Sequence, residues 1–308
     1  MKKIIVLMSI YNGELYLEEQ LQSIINQRFT DDGVEVEILV RDDGSKDGTV
    51  PILEKYKGKG LLDYYTGDNM GYPKSFWHLL RHAGDADYYA FADCDDVWFE
   101  DKLSRAVERL SHEGNIPLLY CSDVVRVDKE LHPLKEYEIY KKSAVDFPHI
   151  FIQDFVAQGC TCVFNHAARL CMADYDMEKY CVDGHDALAG SIVSLFGKVI
   201  YDEKPGMFYR VHGNNMTAKK GNRVQFFLRG IRCVLFRWDH VRNRCARSLE
   251  EVYQDRIVEN ENARYLHEVA HYRESFRNTV IFLKDKAFRT GELKHDLFLF
   301  IKILVRKI

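Results

Sequence analysis

The sequence predicts an α/β fold, a doubly wound and mostly parallel Rossmann-like sheet, followed by a helical C-terminal segment. Three observations carry this expectation: short apolar runs alternate with helical patterns through the first half, polar clusters fall directly after the strands, and from about Lys219 the composition turns basic and aromatic. Strands separated by helices of this length need crossover connections. Such a sheet is covered on both faces, and ligands gather at the carboxyl ends of its strands.

The elements follow in order. Ile4-Ile5-Val6-Leu7-Met8 is an unbroken apolar run suited to a strand buried on both faces, and Leu15, Leu17, Leu21, Ile24 and Ile25 then recur at near-helical spacing. Val36 to Val40 reads as the second strand, Thr49 to Tyr56 as a helix, Leu61 to Tyr65 as a strand and Ser75 to Ala83 as a helix. Tyr88 to Ala92, Lys102 to His112 and Leu118 to Cys121 continue the strand, helix, strand series. Residues 119–147 are polar and irregular, and Phe155 to Asn165 resumes a β-rich character. Asp183 to Phe196 reads as a helix with an acidic start, and Lys198 to Tyr201 as a short strand.

Composition narrows the class. With 308 residues, 46% hydrophobic and 29% charged, the chain can bury a full core, which excludes a disordered protein. Lys and Arg number 43 against 47 Asp and Glu, a net charge of -4 that excludes a general polyanion binder, so no nucleic-acid partner is expected. The eight cysteines are scattered, and the one close pair, Cys160 and Cys162, lacks a second pair to make a zinc site. The apolar run after Met1-Lys2-Lys3 is too short for a signal-peptide core, and no stretch approaches the roughly 18 apolar residues of a spanning helix. The expectation is a cytoplasmic protein with reduced thiols.

Between Lys219 and Arg247 nine basic residues face one acid, Asp239, interleaved with Phe226, Phe227, Leu228, Ile231, Val234, Leu235, Phe236 and Trp238. Two readings stand: attachment to an anionic membrane surface, at about 1 kcal/mol per basic residue near the headgroups, or a packed helix with a solvated basic face. The stretch Leu297 to Val305, flanked by Lys294, Lys302, Arg306 and Lys307, repeats the pattern.

Chemistry is expected at three strand ends. Asp93, Asp95 and Asp96 crowd three carboxylates into four residues, a costly arrangement that a hard divalent cation relieves, although acids after a strand also cap helices. In Asp42-Asp43-Gly44-Ser45-Lys46-Asp47-Gly48-Thr49 the glycines permit positive φ, Asp47 and Thr49 cap the next helix, and Asp42 and Asp43 are left to accept hydrogen bonds from a base or ribose. The first strand runs into Ser9-Ile10-Tyr11-Asn12-Gly13-Glu14.

In string, order and spacing, the clusters after the first two strands, with Asn69-x-Gly71 and Phe91-Ala92-Asp93-Cys94-Asp95-Asp96-Val97-Trp98, resemble the family 2 glycosyltransferases of GT-A fold. Gln158-Gly159-Cys160-Thr161, Gly184-His185-Asp186 and Tyr209-Arg210-x-His212-Gly213-Asn214-Asn215 extend the resemblance toward the bacterial rhamnosyltransferase-like branch, over about residues 3–217. The resemblance implies a GT-A domain over 1–218, with a donor site over 9–96 and an acceptor site over about 155–215, and a helical segment over 219–308. It implies that Ser9, Tyr11, Asn12, Glu14, Asp42, Asp43, Asn69, Lys74, Asp93, Cys94 and Asp95 contact a nucleotide-diphosphate sugar. Asp95, Asp93 and His212 are the implied ligands of Mn²⁺ or Mg²⁺, which stabilises the departing diphosphate. Asp186 is the implied general base of an inverting transfer, with Asp183 its local competitor. The large aromatic expected after the base is replaced by Ala187 and Leu188.

The expected donor is a dTDP-sugar, rhamnose first, or a UDP-sugar. The expected acceptor is a saccharide or polyprenyl-linked saccharide in surface polysaccharide synthesis, met at the inner face of the cell membrane. Two other readings compete: a catalytically silent nucleotide-sugar-binding subunit, and a zinc hydrolase through His267-Glu268-Val269-Ala270-His271, whose histidines lie one helical turn apart. The charged surroundings of the latter, Arg264, Arg273 and Glu274, disfavour it.

Overall fold

A computed structural model describes residues 1–30, 33–134, 145–152, 158–180, 184–212, 241–289, 291 and 293–305. Strands β1 (Lys2–Ile10), β2 (Val34–Asp42), β3 (Asp63–Thr66), β4 (Tyr88–Ala92), β6 (Leu118–Ser122), β8 (Val163–Asn165) and β9 (Lys198–Asp202) form a seven-stranded sheet in the order β3-β2-β1-β4-β8-β6-β9. β3, β2, β1 and β4 run parallel, as do β6 and β9, whereas β8 is antiparallel to both neighbours. A second sheet, β5-β10-β7, joins β5 (Val97–Trp98), β10 (Met207–Arg210) and β7 (Val125–Val127). The sequence reading missed this second sheet, because strands of two to four residues carry too little period-two pattern to stand out.

Both faces of the main sheet are covered, and β1 shows why its sequence is apolar throughout. Ile5 and Leu7 enter the core on one face, with α3 (Tyr72–His82), α6 (His166–Ala173) and α7 (His185–Phe196). Ile4, Val6 and Met8 enter the other, with α1 (Leu17–Ile25), α2 (Thr49–Lys57) and α4 (Lys102–Ser111). In α3, Pro73 pre-sets the first turn after Gly71, whose φ of 82° a side chain would resist.

The C-terminal helices share the first of these cores. After the short α5 (His149–Ile152) in the irregular region, the segment comprises α8 (Val241–Val252), α9 (Gln254–Ile257), α10 (Ala263–His271), α11 (Phe276–Lys284) and α12 (Leu293–Leu304). Cys245, Leu249, Tyr253, Leu266 and Val269 are continuous with Leu188 and Ile192 of α7, and the Tyr253 hydroxyl donates to the Cys171 carbonyl at 2.7 Å. Where it is described, from Val241, the basic stretch is thus a packed helix with Arg244 and Arg247 outward. Residues 219–240, Asp183 and Gly213-Asn214-Asn215 lie outside the described residues. The helix read from Asp183 is described from His185.

Candidate active site at the carboxyl edge of the sheet

Register decides which side chains meet. Ile10 pairs with Asp42 and Met8 with Ala92, so the loops after β1, β2 and β4 leave the sheet at one edge. The first two loops interlock: the Asn12 N–H donates to Ser45 Oγ at 2.8 Å, Asn12 Oδ1 accepts from Lys46 N at 2.8 Å, and Gly13 N donates to Thr49 Oγ1 at 2.9 Å. Glu14 accepts from the Gly48 N–H, which explains Gly48 by close approach, since a Cβ there would lie 2.6 Å from Glu14 Oε2. The positive φ expected of both glycines belongs to Gly44 alone of the pair, at 83°.

The β2 acids are engaged by the protein. Asp42 accepts from Ser45 N at 3.2 Å. Asp43 is ion-paired with buried Arg41 and accepts from the N–H groups of Met70 at 3.1 Å and Gly71 at 3.0 Å. Arg41 also donates to Ser75 Oγ at 3.1 Å and to the Asp68 carbonyl at 3.0 Å, while Ser9 Oγ bonds Ser75 Oγ at 2.6 Å. The side chains of Ser9, Asn12, Glu14 and Asp43 therefore shape these loops from within. Tyr11 and Asn69 are exposed at the same edge, with Lys74 half-buried nearby.

The acids after β4 are less completely compensated. His212, carried in by the small sheet, sets Nε2 2.7 Å from Asp95 Oδ2. Arg210 locks that approach: its N–H donates to Asp96 Oδ1 at 3.2 Å, its Nε to the Asp95 carbonyl at 2.8 Å, and its guanidinium pairs with Glu19 and lies 4.3 Å from the Tyr16 ring centre. Asp93 is pushed up to about 7 by burial and by the charge of Asp95, and Asp96 is also raised by burial and Asp95, its Oδ2 buried with no hydrogen-bond partner among the described residues. Burial brings Lys102 down to about 7; its Nζ donates to the Cys160 carbonyl at 2.6 Å. Cys94 lies under Gly13, where a Cβ would meet its Sγ at 2.9 Å, and burial raises its thiol. It packs the loop from below.

The segment around Gly159 closes on the same acids. Because β8 runs against β4, the turn Gly159–Thr161 before it lies at the carboxyl edge, and Phe91 N donates to the Cys162 carbonyl at 3.1 Å. Asp93, Asp96 and Cys160 gather there within 4.8 Å. Gly159 packs on α7 so tightly that an added Cβ would collide with His185 Nε2 and lie 3.3 Å from Asp186 Cβ. Asp186 occupies the first turn of α7, accepts from Ala187 N at 2.8 Å, and contributes to the rise at Asp93. Asp93 and Asp186 therefore sit on either side of Gly159-Cys160.

A protein-family model described as "Glycosyl transferase family 2" matches residues 5–168, more than half of the chain. The chain belongs to glycosyl transferase family 2. It is 27% identical over 270 residues to the dTDP-rhamnosyl transferase RfbG of Shigella flexneri, covering 82% of this chain and 87% of that one. It is 31% identical over 126 residues to the poly(ribitol-phosphate) β-N-acetylglucosaminyltransferase TarS of Staphylococcus aureus, covering 40% of this chain and 22% of TarS. Residues 1–349 of TarS, solved with UDP, superpose with a TM-score of 0.58 at 18% identity, over 92% of this chain and 75% of that one. A mannosyltransferase of Pyrobaculum calidifontis, solved with GDP-Man and Mn²⁺, gives 0.51 at 16% identity, over 99% and 88%. The fold is GT-A with a helical C-terminal part.

Several residues that organise this family 2 site went unread in the sequence. Arg41 was visible as a lone cation beside Asp42 and Asp43, and Arg210 and His185 lay inside quoted motifs, but only packing shows that each is buried. Among the described residues, both ring nitrogens of His185 are buried and unpartnered; the ring stacks on Phe76 at 4.1 Å, and burial lowers its pKa. The zinc-hydrolase reading fails on placement. Glu268 has its nearest cation in Arg264, at 3.9 Å, with Oε2 buried and unpartnered among the described residues, while both histidines bond Glu250.

Proposed function

We propose that this family 2 glycosyltransferase moves a sugar, rhamnose from a dTDP donor as first choice and a UDP-sugar as the alternative, onto a saccharide or polyprenyl-linked saccharide in surface polysaccharide synthesis, with inversion at the anomeric carbon. The observation that carries the reading is the Asp95–His212 contact at 2.7 Å, at a sheet edge that also holds Asp93 and, across Gly159-Cys160, Asp186. The 27% identity to a dTDP-rhamnosyl transferase across most of both chains supports rhamnose.

The donor set suits a divalent metal. Asp95 supplies a hard oxygen, His212 an imidazole that favours Mn²⁺ over Mg²⁺, and Asp93 a second, half-buried carboxylate that the neighbouring charge of Asp95 makes ready for a cation. When bound, the metal neutralises charge on the diphosphate leaving group. Tyr11 lies where a base can stack, and Asp42 keeps acceptor capacity beyond its Ser45 bond for a ribose hydroxyl. Asp186 removes the proton from the acceptor hydroxyl. The new C–O bond forms on the face opposite the breaking sugar–phosphate bond, and the electron pair leaves on the nucleoside diphosphate.

The domain division reads as a catalytic unit over 1–218 with a helical cover. No described helix is long and apolar enough to cross a membrane, but α12 exposes Leu297, Phe298, Phe300, Ile301 and Leu304 beside Lys302. That face supports peripheral attachment to an anionic bilayer, where a polyprenyl-linked acceptor would be met. A thermal-shift panel of dTDP-, UDP- and GDP-sugars with and without Mn²⁺ tests the donor side. Stabilisation by dTDP-rhamnose only with Mn²⁺ is expected, and equal response to all nucleotides without metal would refute the reading.

A further inference from the structure

We propose that Glu250, His267 and His271 form a second cation site, for Zn²⁺ or a similar transition metal, that fastens α8 to α10 and carries out no reaction of its own. α10 places the two histidines one turn apart on one face, ring centres 4.2 Å from each other. From α8, Glu250 reaches both: Oε1 lies 3.0 Å from His267 Nδ1 and Oε2 2.8 Å from His271 Nε2. One ligand atom from each residue falls within 4.8 Å of the others. Around zinc, with bonds of about 2.0–2.2 Å, tetrahedral neighbours stand roughly 3.3 Å apart, so side-chain adjustment alone closes the shell.

A second layer is already in place. His271 Nδ1 lies 2.7 Å from Glu274 Oε1, and Glu274 is held at 2.9 Å by Arg247 of α8. A carboxylate on the far ring nitrogen takes up its N–H and aims the Nε2 lone pair at the cation. Two imidazoles with one carboxylate suit zinc, cobalt or nickel better than magnesium. The site straddles an interface where Asn243 Nδ2 donates to the Val269 and Ala270 carbonyls at 2.8 and 2.7 Å, so a bound metal would add a clamp to helices already in register.

The arrangement differs from the hydrolase that the His-Glu-x-x-His string suggests. There the glutamate following the first histidine activates water at the open metal position. Here the third ligand is Glu250, far upstream, and Glu268 is directed into the protein toward Arg264. His267 faces solvent, which leaves the fourth position open to water.

Full-length protein stripped with chelator and carrying Asp95→Ala, to silence the proposed catalytic metal centre, is titrated with Co²⁺ and then Zn²⁺. One equivalent of Co²⁺ giving tetrahedral visible absorption, displaced by Zn²⁺ with a rise in Tm, is expected. His267→Ala, at an exposed position that leaves folding intact by circular dichroism, loses the spectrum and the Tm rise; Glu274→Gln weakens Zn²⁺ about 10–100-fold; Glu268→Gln changes neither. Absence of Co²⁺ uptake, the same uptake in His267→Ala, or its loss in Glu268→Gln would each overturn the proposal. None of these readouts depends on sugar transfer.

Discussion

Two acidic clusters share one sheet edge, and the fold treats them in opposite ways. Asp42 and Asp43 are 1% and 2% exposed, yet their oxygens are matched by Arg41 and by the backbone N–H groups of Ser45, Met70 and Gly71. Asp93 and Asp96, two strands away, are crowded by Asp95 and by burial, and one Asp96 oxygen has no partner among the described residues. Burial alone does not mark a reactive acid. What distinguishes the second cluster is crowding of like charges and a buried Asp96 oxygen that no described group meets, which a cation can answer.

The comparison can be broken most severely at Asp186, the proposed base. Asp186→Asn should lower transfer by about 10²–10⁴-fold while donor binding, followed by calorimetry, persists; normal turnover would remove Asp186 from the mechanism. Arg41→Ala should strip the served cluster of its counter-charge and cost about 3–5 kcal/mol, read from the denaturant midpoint, because it leaves Asp43 buried and uncompensated. Asp93→Asn should do the reverse. The folded pKa of Asp93, about 7, lies above its ordinary value of 3.8, so its contribution to stability is present below about pH 4 and is lost as pH rises through 7. Without metal, the Tm of the wild type should fall across that window relative to Asp93→Asn, and parallel curves would deny the shift.

A smaller effect is expected at His185. Replacing it by Phe removes two unpartnered polar atoms from an aromatic stack and should raise stability by about 1–3 kcal/mol, while the ring's position beside Asp186 predicts slower transfer. The pH sign is opposite to that of Asp93. The lowered His185 pKa means its stability is present above about 6.5 and is lost as pH falls toward the folded value, so His185→Phe should resist mild acid better than the wild type.

Much of this architecture was legible because its signals are local. β1 announces itself by an apolar run and α3 by a helical pattern from Ser75, three residues inside its start at Tyr72, and the acids follow their strands as parallel topology demands. What stayed hidden depends on distance along the chain. Arg210 touches Glu19 and Asp95, and Glu250 meets His267 and His271, through pairings that no spacing rule contains. The second sheet brings in His212 through three strands of two to four residues, below the length at which alternation can be read.

The reversed direction of β8 has a consequence for how such an enzyme can change. The loops after β1, β2 and β4 leave the far ends of forward-running strands, whereas Gly159 and Cys160 arrive at the same rim from the segment preceding a backward one. On the proposed reading, change at Gly159 and Cys160 would alter the acceptor wall while the interlocked loops after β1 and β2 keep their own contacts. If the proposed roles hold, a single inverted strand separates the choice of what is given from the choice of what receives it.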